Sequence, residues 1–393
     1  MLSLDPPAEE RQEALYWLSE VSDNPREQRE LLESILAYNL GDARARRKLA
    51  ILDGKLRPED LVDPDRPVQP AAEDPRAVQT RAFTCPKCGG RMTFAPDGHS
   101  LTCEYCESRQ RIPGARGPDE EDFLVALATA KAHHRPMTAQ SVVCSGCSAA
   151  FILPPETITQ TCPYCQTPYA IQQVEVRTLD APDSILPFSV TAEQAREALL
   201  AWLEDARPEG ALKVSRPSGI YLPVWLFNIG GQIDWSGWVY QNKRQVPVSG
   251  ARVISLPNLL VPAANRLPEG LSAVLQGFDL DALQPYDPRY LASFPAETFA
   301  ETAADASLEA RRLAMEHEIR DVRLEVFDQT IEDLHLRTTN MLVEGYRLAL
   351  VPVWLAYYTI DLRRFDVAIN GQSGAVTAQR PERGLLDWVK GLF

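Results

Sequence analysis

The chain reads as an α+β protein: an N-terminal helical hairpin, two tandem four-cysteine zinc ribbons, and a C-terminal mixed α+β domain with an internally duplicated sheet. Three observations predict this. All eight cysteines fall in four CxxC pairs that use one spacing twice. Residues 1–57 carry apolar side chains at helical intervals between recognisable caps. The pentapeptide Leu222-Pro-Val-Trp-Leu226 returns as Val351-Pro-Val-Trp-Leu355, each time in an apolar, strand-like run after a helical one.

The bulk properties frame the elements. At 393 residues the chain is long enough for two or three domains. A net charge of −14 argues against broad affinity for nucleic acid or anionic lipid. The most apolar run, Leu348 to Ile360, contains Pro352 and is too short to span a bilayer. The first residues lack the apolar core of a secretory signal. The expected compartment is the cytoplasm, with reduced thiols; attachment at the inner face of the membrane would be peripheral.

In chain order, residues 1–57 form the helical region. Ala14, Leu15, Leu18 and Val21 share one helical face, and Asn24-Pro25 supplies an N-cap and a first-turn proline for a second helix. Asp42 caps a third, with Leu49, Ile51 and Leu52 facing inward. The pattern resembles a single tetratricopeptide-like hairpin, and one unit is too few to stack into a solenoid. Residues 58–80, rich in Pro and Asp, read as a linker.

Residues 81–115 form the first ribbon, with Cys85, Cys88, Cys103 and Cys106. Residues 142–175 form the second, with Cys144, Cys147, Cys162 and Cys165. Fourteen residues separate the pairs in each, and the copies lie 59 positions apart (Cys85 and Cys144). Between the ligands Thr102 matches Thr161 and Tyr105 matches Tyr164. Four thiolates at this spacing suit a structural Zn²⁺, so two Zn²⁺ are the expected cofactors. Disulfides need an oxidising compartment. Redox or iron–sulfur chemistry stays open beside zinc, because Cys162-Pro-Tyr-Cys165 matches a glutaredoxin-like tetrapeptide. Such a motif normally stands alone, and here it is one of a matched set.

Residues 116–141 read as a connecting helix, with Phe123, Leu124, Leu127 and Ala130 on one face. In the 179–380 domain Thr191-Ala-Glu-Gln194 is a capping box for an amphipathic helix. Strand-like runs cover 219–227, 231–240, 252–256 and 258–261; a second helix covers 303–319, followed by runs at 322–327, 333–337 and 346–358. Trp225 and Trp354 are expected in the core, each with a partner for its indole N–H. Residues 381–393 form an amphipathic tail with Leu385, Leu386, Trp388, Val389, Leu392 and Phe393 on one face, suited to folding back, to a partner or to a membrane interface.

No catalytic constellation emerges: phosphate-binding loops, nucleophile elbows and zinc-protease helices are absent, and none of the five histidines stands at ligand spacing with a carboxylate or cysteine. Glu193, Glu297 and Glu309 read as solvated. The expectation is a non-enzymatic adaptor with protein partners. The alternative is nucleic-acid binding through Lys87, Arg91, Arg109 and Arg111 of the first ribbon; the second ribbon has no Lys or Arg between Val142 and Ile171.

From Phe83 to Arg380 an ordered series of motifs resembles a family of bacterial double-zinc-ribbon proteins. These are labelled TFIIB-type zinc ribbon or, by analogy, primosomal protein N′-like. The series comprises Cys85-Pro-Lys-Cys88-Gly-Gly, Cys103-Glu-Tyr-Cys106, Asp122-Phe123, Ala128-Thr-Ala-Lys131, Cys144-Ser-Gly-Cys147, Cys162-Pro-Tyr-Cys165, Leu186-Pro-Phe188, Tyr221-Leu-Pro-Val-Trp225, Asn258-Leu-Leu-Val-Pro262, Tyr286-Asp-Pro-Arg-Tyr-Leu291, Leu350-Val-Pro-Val-Trp354 and Asn370-Gly-Gln-Ser-Gly374. The resemblance implies zinc at the eight cysteines and a membrane-stress setting alongside phage-shock and band-7 proteins. Some similar proteins continue past the Asn-Gly-Gln segment into a transmembrane helix, where this chain has the Trp388 tail.

Overall fold

The computed structural model describes residues 8–39, 42–57, 85–90, 92–94, 100–103, 105–111, 121–123, 136–153, 159–170, 175–206, 210–241, 244–264, 271–325, 331–361 and 363–378. The linker, Arg91, most of the expected connecting helix and the 381–393 tail lie outside them.

Helices α1 (Ala8–Val21), α2 (Pro25–Tyr38) and α3 (Ala43–Leu52) open the chain. Asn24 accepts from the Arg26 amide ahead of Pro25, and Asp42 accepts from the Arg44 and Ala45 amides, so both caps act as their residue types dictate. Leu32, Ile35 and Ala45 are buried against Leu15, Tyr16, Leu36, Leu49 and Leu52. Trp17, Leu18 and Val21 instead face solvent, so α1 buries a narrower stripe than its apolar content suggests.

The first cysteine unit is a small sheet of its own, β1 (Met92–Phe94), β2 (Ser100–Cys103) and β3 (Arg109–Arg111), all antiparallel. β4 (Glu121–Asp122) pairs with Tyr346 and Gly345, and Phe123 packs edge-on against Phe227 and Tyr346. Glu121 and Asp122 therefore enter the sheet as strand where the sequence suggests helix, while Phe123 is helical as the sequence suggests. The same correction holds at the other end of the 116–141 segment: β5 (Pro136–Val143) is a strand from its first residue.

The main sheet continues with β6 (Ala150–Ile152), while β7 (Thr159–Thr161) and β8 (Pro168–Ala170) pair apart as a two-stranded ribbon. β9 (Glu175–Asp180) and β10 (Ser184–Ile185) follow, then α4 (Ala192–Ala206), β11 (Leu212–Val214), β12 (Ser218–Gln241) and β13 (Arg244–Pro262). After short 3₁₀ turns come β14 (Gln284–Pro285), β15 (Ala296–Glu297), α5 (Ala303–Glu325), β16 (Glu332–Ile360), β17 (Arg363–Asn370) and β18 (Val376–Ala378). The separate strand-like runs of the sequence are thus merged. Bulges such as that at Phe227/Ile229 let β12 and β13 stay paired past the irregularities. Val322 lies in α5, which runs on to Glu325 where the sequence suggests a strand.

The centre of the sheet has local two-fold symmetry. Leu222 of β12 lies opposite Val351 of β16, its own counterpart in the repeated pentapeptide. Ile185 of β10 runs parallel to β16 at Leu350, and Ala296 of β15 runs parallel to β12 at Tyr221. β13 ends its pairing at Pro262 opposite Val224, and β17 ends its pairing at Asn370 opposite Val353. Thr191 caps α4 through the Gln194 amide, and Thr302 caps α5 through the Asp305 amide, each at 3.2 Å. The tryptophans cross between the halves. Trp225 Nε1 donates to the Glu301 carbonyl just before α5, and Trp354 Nε1 donates to the Val190 carbonyl just before α4. Each indole meets a phenylalanine at a steep angle, Trp225 with Phe299 and Trp354 with Phe188. Both tryptophans are core residues with satisfied N–H groups, as expected of buried indoles.

One sheet runs through regions that the sequence sets apart. β5 pairs with β6 and β9, and β6 joins β15 beside β12. The hairpin carrying Cys144 and Cys147 is therefore an extension of the main sheet, so the second ribbon and the 179–380 domain share strands where the sequence sets them apart.

Candidate metal centres

The backbone prepares the cysteines in four equivalent knuckles. In each, the N–H of the first cysteine donates to the carbonyl five residues on: Cys85 to Gly90, Cys103 to Ser108, Cys144 to Ala149 and Cys162 to Thr167, at 2.7–3.0 Å. The residue after each second cysteine turns left-handed and donates back to the first cysteine's carbonyl. These are Gly89, Glu107, Ser148 and Gln166, with φ between 55° and 72°. Only one of the four is glycine, so three knuckles accept the modest cost of a left-handed side chain. At Gly146 a Cβ would come within 2.6 Å of the Thr167 hydroxyl and 3.1 Å of the Cys165 sulfur, so this position has no room for a side chain.

The knuckles bring the predicted ligands together as two tetrads: Cys85, Cys88, Cys103 and Cys106, and Cys144, Cys147, Cys162 and Cys165. Sulfur pairs stand 3.5–3.6 Å apart, Cys85 with Cys106, Cys88 with Cys103, Cys144 with Cys165 and Cys147 with Cys162. A disulfide would hold them at about 2.0 Å. A tetrahedron with Zn–S bonds of about 2.3 Å has edges of roughly 3.8 Å, close to these separations. The donor sets fit two Zn²⁺ and are compatible with zinc ribbons.

Hydroxyls and amides bias the thiols unequally. The Ser108 hydroxyl, 3.1 Å from Cys85, lowers that thiol to about 6, and the same hydroxyl lowers Cys106. Burial opposes ionisation of Cys165, but the Thr167 hydroxyl and amide outweigh it and bring it to about 6. The Gly90 amide favours the Cys88 thiolate, yet the Cys106 and Cys103 sulfurs push it up to about 12. Burial raises Cys147 and Cys162. Four thiolates in contact share their charge poorly without a cation, and a bound dication would hold all of them ionised. Four sulfurs also fill a tetrahedral ion's coordination sphere, which leaves no open position for a substrate.

The second tetrad is clamped to the sheet by residues that the sequence reading missed. The Tyr164 hydroxyl, from inside the last CxxC, donates to Glu297 of β15, and its ring stacks on Phe151 of β6. Burial, reinforced by the Glu297 charge, raises the Tyr164 phenol well above 10. Arg364 of β17 donates to the Tyr164 carbonyl at 2.8 Å. Glu297 is 4% exposed, which corrects its reading as a solvated acid. Ser108 and Thr167 were legible in principle, since both carry hydroxyls two residues after the last cysteine of their copy.

The other predicted sites are less assembled. Lys87 is exposed on the first knuckle and Arg109 is exposed on β3; the backbone of Arg111 pairs with Ser100, and Arg91 lies outside the described residues. So do Leu385, Leu386, Trp388, Val389, Leu392 and Phe393. One histidine does stand at ligand spacing, contrary to expectation: His317 Nδ1 lies 3.7 Å from oxygens of Glu318 and Asp321. Arg252 already binds these two carboxylates, at 3.0 and 3.1 Å, so the cluster carries its own cation. Among the described residues no helix is long and apolar enough to cross a membrane.

No protein-family profile matches the chain, and no solved structure matches it. The chain is similar to YdjG of Bacillus subtilis (strain 168), an uncharacterized protein, at 24% identity over 333 residues that cover 79% of this chain and 94% of that one.

Proposed function

We propose that this protein is a non-enzymatic, zinc-stabilised adaptor of the bacterial double-zinc-ribbon type, with two structural Zn²⁺ and protein partners. The observation that carries the reading is the clamped second tetrad. Its Cys144–Cys147 knuckle joins strands of the main sheet, and Tyr164 and Arg364 tie the Cys162–Cys165 knuckle to β15 and β17. A closed four-sulfur site in that setting holds strands in place, and zinc binding of about 10–16 kcal/mol in such units is folding free energy. Partner surfaces are then to be sought among exposed apolar side chains. Trp17, Leu18, Val21 and Tyr38 supply one group on α1 and α2, and Trp238, Tyr240 and Val253 another on the β12–β13 arm. The tetratricopeptide-like character of the helices and a membrane-peripheral role for the 381–393 tail belong to the same reading.

A second reading, nucleic-acid binding by the first hairpin, draws on Lys87, Arg109 and the exposed ring of Tyr105, a cation-and-aromatic grouping that suits single strands. Affinity capture from the native cell separates the two, using the full chain and a chain ending at residue 383, with zinc measured on each. The adaptor reading expects a defined protein partner that is lost from the Trp17→Ala/Val21→Asp variant. Recovery of nucleic acid alone, unchanged by tail deletion and falling steeply with salt, would overturn it.

A further inference from the structure

The two tetrads differ in how their sulfurs meet solvent. In the first, Cys88 and Cys106 are exposed while Cys85 and Cys103 are buried. In the second, Cys144 and Cys162 are buried and Cys147 and Cys165 only half open. The surroundings reinforce the contrast. Tyr105, beside Cys106, is 78% exposed, whereas its counterpart Tyr164 is held by Glu297 and Phe151. The first hairpin is a separate three-stranded sheet that buries one side, including Met92 and Leu101, in the same cluster as Tyr290 and Leu291. The second shares strands with the body and takes an additional hydrogen bond from Arg364. One edge of the first tetrad is thus open to reagents, and the corresponding edge of the second is only half open.

We propose that the Cys88–Cys106 edge of the first tetrad is a thiol-modification site, a reactive zinc–thiolate centre that hydroperoxides oxidise with loss of its ion, while the second tetrad keeps its own. Attack by an exposed thiolate on the peroxide O–O bond forms a sulfenic acid and, once protonated, releases water or an alcohol. A neighbouring thiolate then displaces the sulfenic oxygen as a second water and closes a disulfide. Two sulfurs lose two electrons in all, and the peroxide takes up those electrons and two protons. A partner is at hand, since the four ligand atoms lie within 4.8 Å of one another. The two thiolates left behind hold Zn²⁺ too weakly to keep it. The first hairpin loses its staple, and the clamped second hairpin stays in the sheet. Reactivity at a metal-bound thiolate follows access, and the first tetrad provides more of it than the second.

The inference rests on the zinc reading of both tetrads, and the test keeps the two apart. Zinc-loaded full-length protein is assayed first for zinc per chain. It is then treated with hydrogen peroxide while a chromophoric chelator reports release, and quenched samples are alkylated and mapped by peptide mass spectrometry. The expected result is two zinc per chain, one leaving about tenfold or more faster than the other, with oxidation appearing first at Cys88 or Cys106. Cys88→Ser should retain about one zinc and lose the fast phase; if that variant is poorly folded, the wild-type map alone decides. Two ions leaving at one rate, or first modification at Cys147 or Cys165, would overturn the proposal and leave the zinc reading standing. Less than one zinc per chain at the outset would sink both.

Discussion

Replacing Tyr164 with Phe isolates the clamp between the second tetrad and the sheet. The ring stays, so stacking on Phe151 is kept, and so is the Arg364 contact, which is made to the backbone. Only the hydroxyl is lost, and with it the donor that faces Glu297. A hydrogen bond to a charged group contributes about 1.5–3 kcal/mol, and Glu297 is too buried for water to replace the donor freely. The expected cost is about 2 kcal/mol, a roughly 30-fold shift toward the open state. Urea unfolding of the zinc-loaded protein, followed by tryptophan fluorescence with zinc release recorded in parallel, measures it. The midpoint should fall and the more tightly held zinc should leave at lower urea. Adding Glu297→Gln to Tyr164→Phe should cost less than it does in the wild-type background, because the two groups act as a pair. If Tyr164→Phe unfolds and releases zinc as the wild type does, the second tetrad is not tied to the sheet in the way described.

Further outcomes follow from the same geometry. Trp225→Phe and Trp354→Phe should each destabilise by about 1–3 kcal/mol, and by similar amounts, since each leaves an equivalent helix-entry carbonyl without its indole donor; widely different midpoints would contradict the two-fold arrangement. Arg252→Met should cost about 3 kcal/mol, because it strips the cation from Glu318, which is nearly inaccessible to solvent; an unchanged melting temperature would refute this. Zinc uptake by metal-free protein should weaken as pH falls. The lowered thiols Cys85 and Cys165 are ionised above about 6 and protonate below it, while the raised Cys88 must release a proton to bind at any neutral pH. Equilibrium dialysis at pH 8, 6.5 and 5 checks the sign, and uptake that does not change with pH would contradict it.

The metal centres were legible from sequence because their chemistry needs one residue type at one spacing. Cysteine identity and the CxxC pairs are enough to predict both tetrads. The caps at Asn24, Asp42 and Thr191 were legible for the same reason, being local signals acting on local backbone. What stayed hidden depends on distant pairing. The contact of β6 with β15 spans only Phe151–Glu297 and Ile152–Ala296, two residues whose partners no local pattern reveals. Glu297 looks like any surface acid until that pairing buries it. The two-fold relation was visible at the tryptophan pentapeptides and invisible upstream. Phe188 and Thr191 correspond to Phe299 and Thr302, but α5 and the front of β16 are longer than α4 and the front of β12. The two matches therefore fall at different offsets and do not reinforce each other. Leu18 and Val21 show the opposite error, since helical spacing marks a face as apolar without saying that anything covers it.

The crossed tryptophans also set an order of events during synthesis. The carbonyl of Val190 receives its hydrogen bond from an indole 164 positions later in the chain. At about 5–20 residues per second, a ribosome takes roughly 8–30 seconds to cover that distance. Throughout that interval the start of α4 and the aromatic surface of Phe188 lack the side chain that closes over them. The front half of this body therefore waits for its back half, and the nascent chain offers chaperones and proteases an unfinished sheet until β16 emerges.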